Sequence, residues 1–507
     1  MGVFVFFQHV LTLVVTSITI KDKIIPKLGG YHGSKKEKIP TWVAMKWKGN
    51  TRGFDEFKAF IKGKLLPILG IKSENPRISD MVSQERITVS LDRDGKYQAD
   101  FSSGTHAVYI DSVPTKLTDF TINMGAAIID AFLEISCFYV DSNKIRNRYP
   151  DEITYEKVVD TAIENGICRY IAGANFEKFI WLVSSLEIWA VKTYEGKKVN
   201  FGFIFDPERE GGFLLGEGKS WLDFLQNDYA APLSDGIHSL IELNKNCEPC
   251  GYLSLTEGGR VSGYKLEDDA PLRFAQVIQT HVTGNRVGIF LLNNGDIVLA
   301  KDRAVRVIKR NLKWLNISFE AFSGFITAEL SKKLSEKLLK SIYASVLDVS
   351  FSHTGGIIAW VQSAEKWNEL TVSEAGREAI IDPCDDLHTS VDDDAIIEMM
   401  KKVRGKMQGK EEKEFEKEIE MRLLKRKVVK ALVDDKPFSK MDRKLRAELI
   451  AMDGACVVDW KGRVCAVGAI IQNDSGSAGG GRTAAAKKCP SAALRSRSPQ
   501  TATLKLL

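Results

Sequence analysis

The sequence predicts an α/β (α+β) fold of mixed sheets flanked by helices, and three observations carry that prediction. Apolar residues recur at helical spacing in "LSKKLSEKLLKSIYASVLDVSF", where Leu334, Leu338, Ile342 and Val346 fall on one face. Two apolar runs meet around Asn294-Gly295 in "VGIFLLNNGDIVLAKD", a dipeptide that strongly favours a hairpin because both residues tolerate positive φ. A glycine turn then enters a buried-type strand in "HTGGIIAWV", so a helix delivers the chain to a central sheet.

Length and charge bound the function. A chain of 507 residues, 44% hydrophobic and 27% charged, has room for several domains with ordinary cores. Its 71 basic and 66 acidic side chains nearly cancel, and a net charge of +5 gives no strong electrostatic reason to expect a nucleic-acid partner. Eight cysteines without regular spacing read as thiols of a reducing compartment, which implies a cytoplasmic protein. Cys247 and Cys250 in "NCEPCG" supply half of a zinc site, but no second CxxC or HxxxH accompanies them, so the segment reads as a turn at Pro249.

In order along the chain, residues 1–40 form an apolar and then basic segment. Val3 to Ile20 has the apolarity of a short membrane segment, yet Gln8 and His9 interrupt it and no Lys or Arg precedes it. A membrane anchor is therefore not expected; the β-branched bias suits a buried strand or a wrongly assigned start. Residues 41–280 read as a mixed α/β region with the role of sensor or adaptor, containing "ERITVSLD", "TINMGAAIIDAFLEISCFYV" and "FEKFIWLVSSLEIWAVKTY". Within it "GGFLLGEGKSW" imitates a phosphate-binding loop, but the position that needs glycine is Phe213, so no nucleotide role follows. Residues 281–330 read as a hairpin-rich connection, with the strand "RAVRVIKR" followed by a helix.

Residues 331–488 form the last globular region. Its stretch 390–432 alternates Lys and Glu three and four apart, the mark of an exposed helical insertion. Ser439 with Asp442 resembles an acidic capping box and starts a helix with Met441, Leu445, Leu449 and Met452 on its apolar side. Asp348 reads as a cap for a local backbone group, and His353 as a turn or strand-edge residue. After the helix come the turn Asp453-Gly454-Ala455, a hairpin "CVVDWKGRVCAVGAII", and the glycine loop "QNDSGSAGGG" opening into the helix "RTAAAKK". A glycine loop at a helix start presents free N–H groups to phosphate, Arg482 adds a fork of donors, and Asp453 offers a carboxylate for a metal-bridged polyphosphate.

This region resembles the diadenylate cyclase (DAC, DisA N-terminal-like) domain family, whose members join two ATP molecules into cyclic di-AMP with Mg2+ or Mn2+. The resemblance runs from the helix at Leu334 through "GGIIAWV", "FSKMDRKLRAELIAM", the DGA motif and "GRVCAVGAII" to the glycine loop, and is most specific from Phe438 onward. It implies that Asp453 is the catalytic, metal-binding residue, and that Gly454, Ala455, Gly480, Gly481, Arg482 and Thr483 contact the nucleotide. It also implies a homodimer, since DAC domains work face to face. The family's phosphate-gripping Arg-His-Arg is reduced here to Arg482, Thr483 and Ala484. Phosphoryl transfer rests on positioning and charge, so that loss weighs on turnover more than on binding. The expectation is a sensor that binds ATP or a cyclic dinucleotide; the alternatives are an active cyclase and a dimerisation module without ligand.

The tail 489–507 lacks a strand pattern where the family places a closing hairpin. Codons permitted by these residues, read in a shifted frame, encode "SKCGFAIKISADGYIEV", which has hairpin alternation and an Asp-Gly turn. The tail is accordingly read as out of frame, and an uninterrupted gene sequence without that hidden strand would refute the reading.

Overall fold

The structure is a computed structural model. It describes residues 2–6, 51–71, 76–78, 86–91, 97–102, 107–113, 117–141, 155–191, 193–194, 197–198, 201–211, 239–254, 270–271, 274–292, 294–329, 334–352, 356–361, 383–387, 393–404 and 410–469.

In chain order the elements begin with β1 (Gly2–Phe6), α1 (Thr51–Phe60), β2 (Arg77–Ile78), β3 (Arg86–Ser90), β4 (Tyr97–Ser102) and β5 (Ala107–Val113). Next come α2 (Asp119–Asp141), α3 (Tyr155–Ala172), α4 (Phe176–Ala190), β6 (Thr193–Tyr194), β7 (Lys197–Lys198) and β8 (Phe201–Phe205). Strands β9 (Ser239–Leu243) and β10 (Pro249–Ser254) precede α5 (Ala275–His281), and then follow β11 (Val287–Leu291), β12 (Ile297–Lys301), β13 (Ala304–Arg310) and β14 (Lys313–Asn316). The remainder is α6 (Phe319–Glu329), α7 (Glu336–Phe351), β15 (Gly356–Val361), α8 (Asp393–Arg404), α9 (Lys410–Val433), α10 (Arg443–Ala451), β16 (Ala455–Asp459) and β17 (Val464–Ala469). The fold is mixed α/β, with three mixed sheets flanked by helices, as the sequence predicts.

The chain divides into two compact units: Met1–Thr16, Pro271–Arg273 and Glu329–Leu507 form the first, Ser17–Ala270 and Phe274–Ala328 the second. The second unit holds a seven-stranded sheet of order β10-β9-β8-β11-β12-β13-β14 and a four-stranded sheet of order β2-β3-β5-β4. The Asn294-Gly295 hairpin forms as predicted, with Val287 opposite Lys301 and Leu291 opposite Ile297. Gly295 has φ +90°, and the Asn294 side chain accepts a hydrogen bond from Asp296 N at 3.0 Å, which fixes the turn.

Strands β11 to β14, which fall within 281–330, are part of this larger sheet, because β11 pairs with β8 as well as with β12. After "RAVRVIKR" a further strand, β14, precedes the helices α6 and α7. Asn311 and Leu312 both take positive φ, 49° and 65°, and turn the chain straight back. Leucine is not a residue that advertises such a turn.

The core of the second unit is aromatic and aliphatic, with Phe60 stacked on Phe132 at 4.0 Å between centroids. It also holds a charge: Lys309 on β13 is 4% exposed and sits 2.7 Å from Glu164 on α3 and 2.6 Å from Glu187 on α4. Burial opposes its ammonium form, but the Glu164 charge and the hydrogen bonds that the ammonium donates to both carboxylates outweigh burial and hold Lys309 above the ordinary lysine range.

The first unit is built on a sheet of order β1-β15-β16-β17. β1 runs antiparallel to β15, so Gly2–Phe6 at the apolar N-terminus is a strand, while residues 7–50 lie outside the described residues. β15 and β16 are parallel, Ile357 opposite Ala455, and every residue of β15, β16 and β17 is buried. Helix α7 begins at its N-cap Ser335, whose side chain accepts from Leu338 N, and buries Leu338, Ile342 and Val346. Among the described residues no helix is long and apolar enough to cross a membrane.

One local reading is corrected. Ser439 does not start the last helix: it lies in a short 3-10 turn, Phe438–Lys440, and α10 begins at Arg443. Asp442 is itself the N-cap, accepting from Lys444 N at 2.9 Å and Leu445 N at 3.3 Å, since a carboxylate satisfies two helix-start amides and meets the positive end of the dipole. Asp348 has a distant partner that sequence spacing does not reveal. It forms a two-pronged pair with Arg443, Nε to Oδ2 at 2.7 Å and Nη2 to Oδ1 at 2.9 Å, joining α7 to α10 across 95 residues of sequence.

The charged insertion is also less exposed than its composition suggests. It forms two helices, α8 and α9, and α9 buries Phe415, Ile419 and Leu423 against Cys384 and Ile396. Its outer side shows Met421, Leu424, Val428 and Leu432 to solvent. The Lys and Glu residues that dominate the count thus conceal a buried stripe at helical spacing.

Candidate functional site

The DGA turn is assembled where α10 ends. Helix α10 stops at Ala451, Met452 turns extended with ψ 145°, and Asp453 emerges exposed before Ala455 is buried at the head of β16. Gly454 has φ +104°, and a Cβ added there would sit 2.3 Å from the backbone carbon of Gly468. Only glycine permits that approach of the two strands.

The same approach shapes β17. Ala455 pairs with Ala469 and Val457 with Ala466, so the ladder is irregular between them, and Gly468 takes φ +66°. At the far end of the hairpin Asp459 is 1% exposed and accepts from Lys461 N and Arg463 N at 2.8 Å each. Its carboxylate is committed to the tight turn and is not a site residue. The described backbone ends at Ala469, where the chain leaves β17 toward the glycine loop.

A cation that sequence reasoning missed stands beside this turn. A Cβ added at Gly468 would lie 2.6 Å from Lys425 Nζ and 2.9 Å from Asp453 O, so the amine of α9 occupies the space that glycine leaves. The position of α9 has a visible cause. The segment 383–387 attaches to β17, with a bridge between Asp386 and Ala466 and a hydrogen bond from Leu387 N to Cys465 O at 2.7 Å. Helix α9 then clamps that segment through Arg422 to Asp385 at 3.2 Å and Arg426 Nε to Asp386 O at 2.8 Å. Lys425 lies between the two clamping arginines in sequence; no local pattern marks it, because its role depends on that docking.

Of the predicted site residues, Asp453, Gly454 and Ala455 are brought together at one turn. Gly480, Gly481, Arg482 and Thr483 lie outside the described residues, as do His353, Phe213 and the tail 489–507. Among the described residues no cluster of three or more His, Cys, Asp or Glu side chains is placed to hold a metal ion. A Mg2+ or Mn2+ ion at Asp453 would take much of its shell from phosphate oxygens and water, which suits these hard cations.

The CxxC segment is held by other means. Asn244 Oδ1 accepts from Asn246 N at 2.9 Å and Glu248 N at 3.0 Å, building the β9–β10 turn around Cys247 at φ 60°. Pro249 and Cys250 already belong to β10, so the turn precedes Pro249. Burial pushes the thiols of Cys247 and Cys456 up to about 12. At pH 8 the reactive thiolate is then scarce, on the order of one part in ten thousand. Iodoacetamide at pH 8 is therefore expected to spare Cys247 and Cys456 in the folded chain and modify both after unfolding. Rapid modification of either, with the circular dichroism of the folded chain unchanged, would contradict their placement.

No family model matches this chain, and neither a curated protein nor a solved structure matches it.

Proposed function

We propose that the first unit is a DAC-like nucleotide-binding domain that senses an adenine nucleotide or cyclic dinucleotide. The observation that carries this reading is the DGA turn itself. An exposed carboxylate at Asp453 projects from a turn that Gly454 and Gly468 keep free of side chains, with the Lys425 amine beside it. A polyphosphate with its divalent cation requires a carboxylate for the metal and a cation and open backbone for the anion. The reduction of Arg-His-Arg to Arg482, Thr483 and Ala484 supports sensing over catalysis, since it removes donors on which charge stabilisation of transfer depends.

The test is incubation of the full chain with ATP and Mn2+, followed by chromatography and calorimetry with ATP and with cyclic di-AMP. Binding without product is expected, and Asp453→Asn is expected to weaken metal-dependent ATP binding roughly tenfold by removing one ligand charge. Formation of cyclic di-AMP would replace the sensor reading with that of a cyclase. Failure to bind either nucleotide would leave a dimerisation module and refute the proposal.

A further inference from the structure

We propose that Lys425 is a phosphate-binding residue of the DGA turn, supplied by the charged insertion; this rests on the nucleotide reading above. Three observations converge on it. First, its Nζ lies beside Gly468, where an added Cβ would meet both this amine at 2.6 Å and Asp453 O at 2.9 Å, so the exposed positive charge stands next to the turn. Second, the cations around it on α9 are engaged elsewhere: Arg422 with Asp385, Arg426 with Asp386 and Asp393, Lys427 with Asp393. Among the described residues no carboxylate is paired with Lys425. Third, α9 is anchored to β17 through the 383–387 segment, so the helix that carries the amine is fixed to the same strand that carries Gly468.

The chemistry follows from geometry. A lysine amine is a compact point charge on a flexible stem and binds a phosphate oxygen without the planar match that arginine requires. Gly468 provides the room for it: a side chain there would meet the amine at 2.6 Å, and only rotation of Lys425 away from the turn would relieve the contact. The ligand class is the phosphate chain of a nucleotide, with the base and sugar contributing through other residues. The exposed insertion thereby becomes part of the site.

The experiment is a binding series with the full chain using tripolyphosphate, ATP and adenosine as probes, comparing wild type with Lys425→Ala, Lys425→Arg and Lys430→Ala. Lys430 is an exposed lysine of the same helix and serves as the control. Lys425→Ala is expected to weaken tripolyphosphate and ATP about tenfold, as loss of one close charge pair near a protein surface does. Adenosine binding is expected to stay unchanged, Lys425→Arg to restore most of the affinity, and Lys430→Ala to have no effect. If wild type binds ATP and Lys425→Ala binds it equally well, the role of Lys425 is overturned while the nucleotide reading stands. If wild type binds neither ATP nor tripolyphosphate, the role of Lys425 is overturned, and the nucleotide reading falls with it only if cyclic di-AMP also fails to bind.

Discussion

Asp348→Ala is expected to destabilise the first unit by about 3–5 kcal/mol, because it leaves Arg443 charged and 7% exposed with its two-pronged partner gone. The pair joins α7 to α10, and α10 ends at the DGA turn, so the loss reaches the site through the helix that sets its position. Exposure of the Cys456 thiol reports this unit alone, since Cys456 is buried in β16 and reacts only on opening. Its free energy of exposure should fall by that amount. The double replacement Asp348→Leu with Arg443→Met should recover most of it, because two apolar groups of similar size leave no orphaned charge. A single variant as stable as wild type, or a double variant no better than the single one, would show that the pair does not hold α10 in place.

Gly454→Val carries the second large effect. Its first side-chain atom would meet the Gly468 backbone at 2.3 Å, and φ +104° is closed to β-branched residues. Overpacking and backbone strain each cost about 1–3 kcal/mol, so a loss of roughly 3 kcal/mol or more in the opening energy at Cys456 is expected. Gly468→Ala makes the useful comparison. Its closest neighbour is the mobile end of Lys425, although Asp453 O at 2.9 Å also crowds it, so a smaller loss of stability is expected. If Gly468→Ala proved the more damaging of the two, the close approach of β16 to β17 at Gly454 would not be the feature that shapes the turn.

Much of the fold was legible because local chemistry announces it. Asn294-Gly295 has the conformational freedom that a hairpin needs, and the period of Leu338, Ile342 and Val346 exposes α7 directly. Strand β14 escaped notice since Leu312, at φ 65°, gives no turn signal. Ser439 and Asp442 compete for one helix start, and which of them caps is decided by the extended backbone at Met441, invisible in composition. The site divides the same way. Asp453, Gly454 and Ala455 are contiguous and could be read as a motif, whereas Lys425 reaches them only through Asp385, Asp386 and β17. The pairing of Asp348 with Arg443 escaped notice for the same reason: the two lie 95 residues apart, and sequence patterns reveal neighbours at helical or strand spacing, not distant contacts.

The parallel pairing of β15 with β16 also determines how this unit must fold. Ile357 and Ala455 are opposite each other although roughly a hundred residues separate them, and closing so long a loop is slow compared with forming a hairpin or a helix. The hairpin β16–β17 and the helices of the insertion can form early from local contacts, but the central ladder must wait until the intervening chain has been gathered in. The DGA turn stands at the head of β16, where that late pairing begins. Refolding after dilution from denaturant should therefore restore helical signal well before the turn is in place, making burial of the Cys456 thiol in β16 slower to return than the helices.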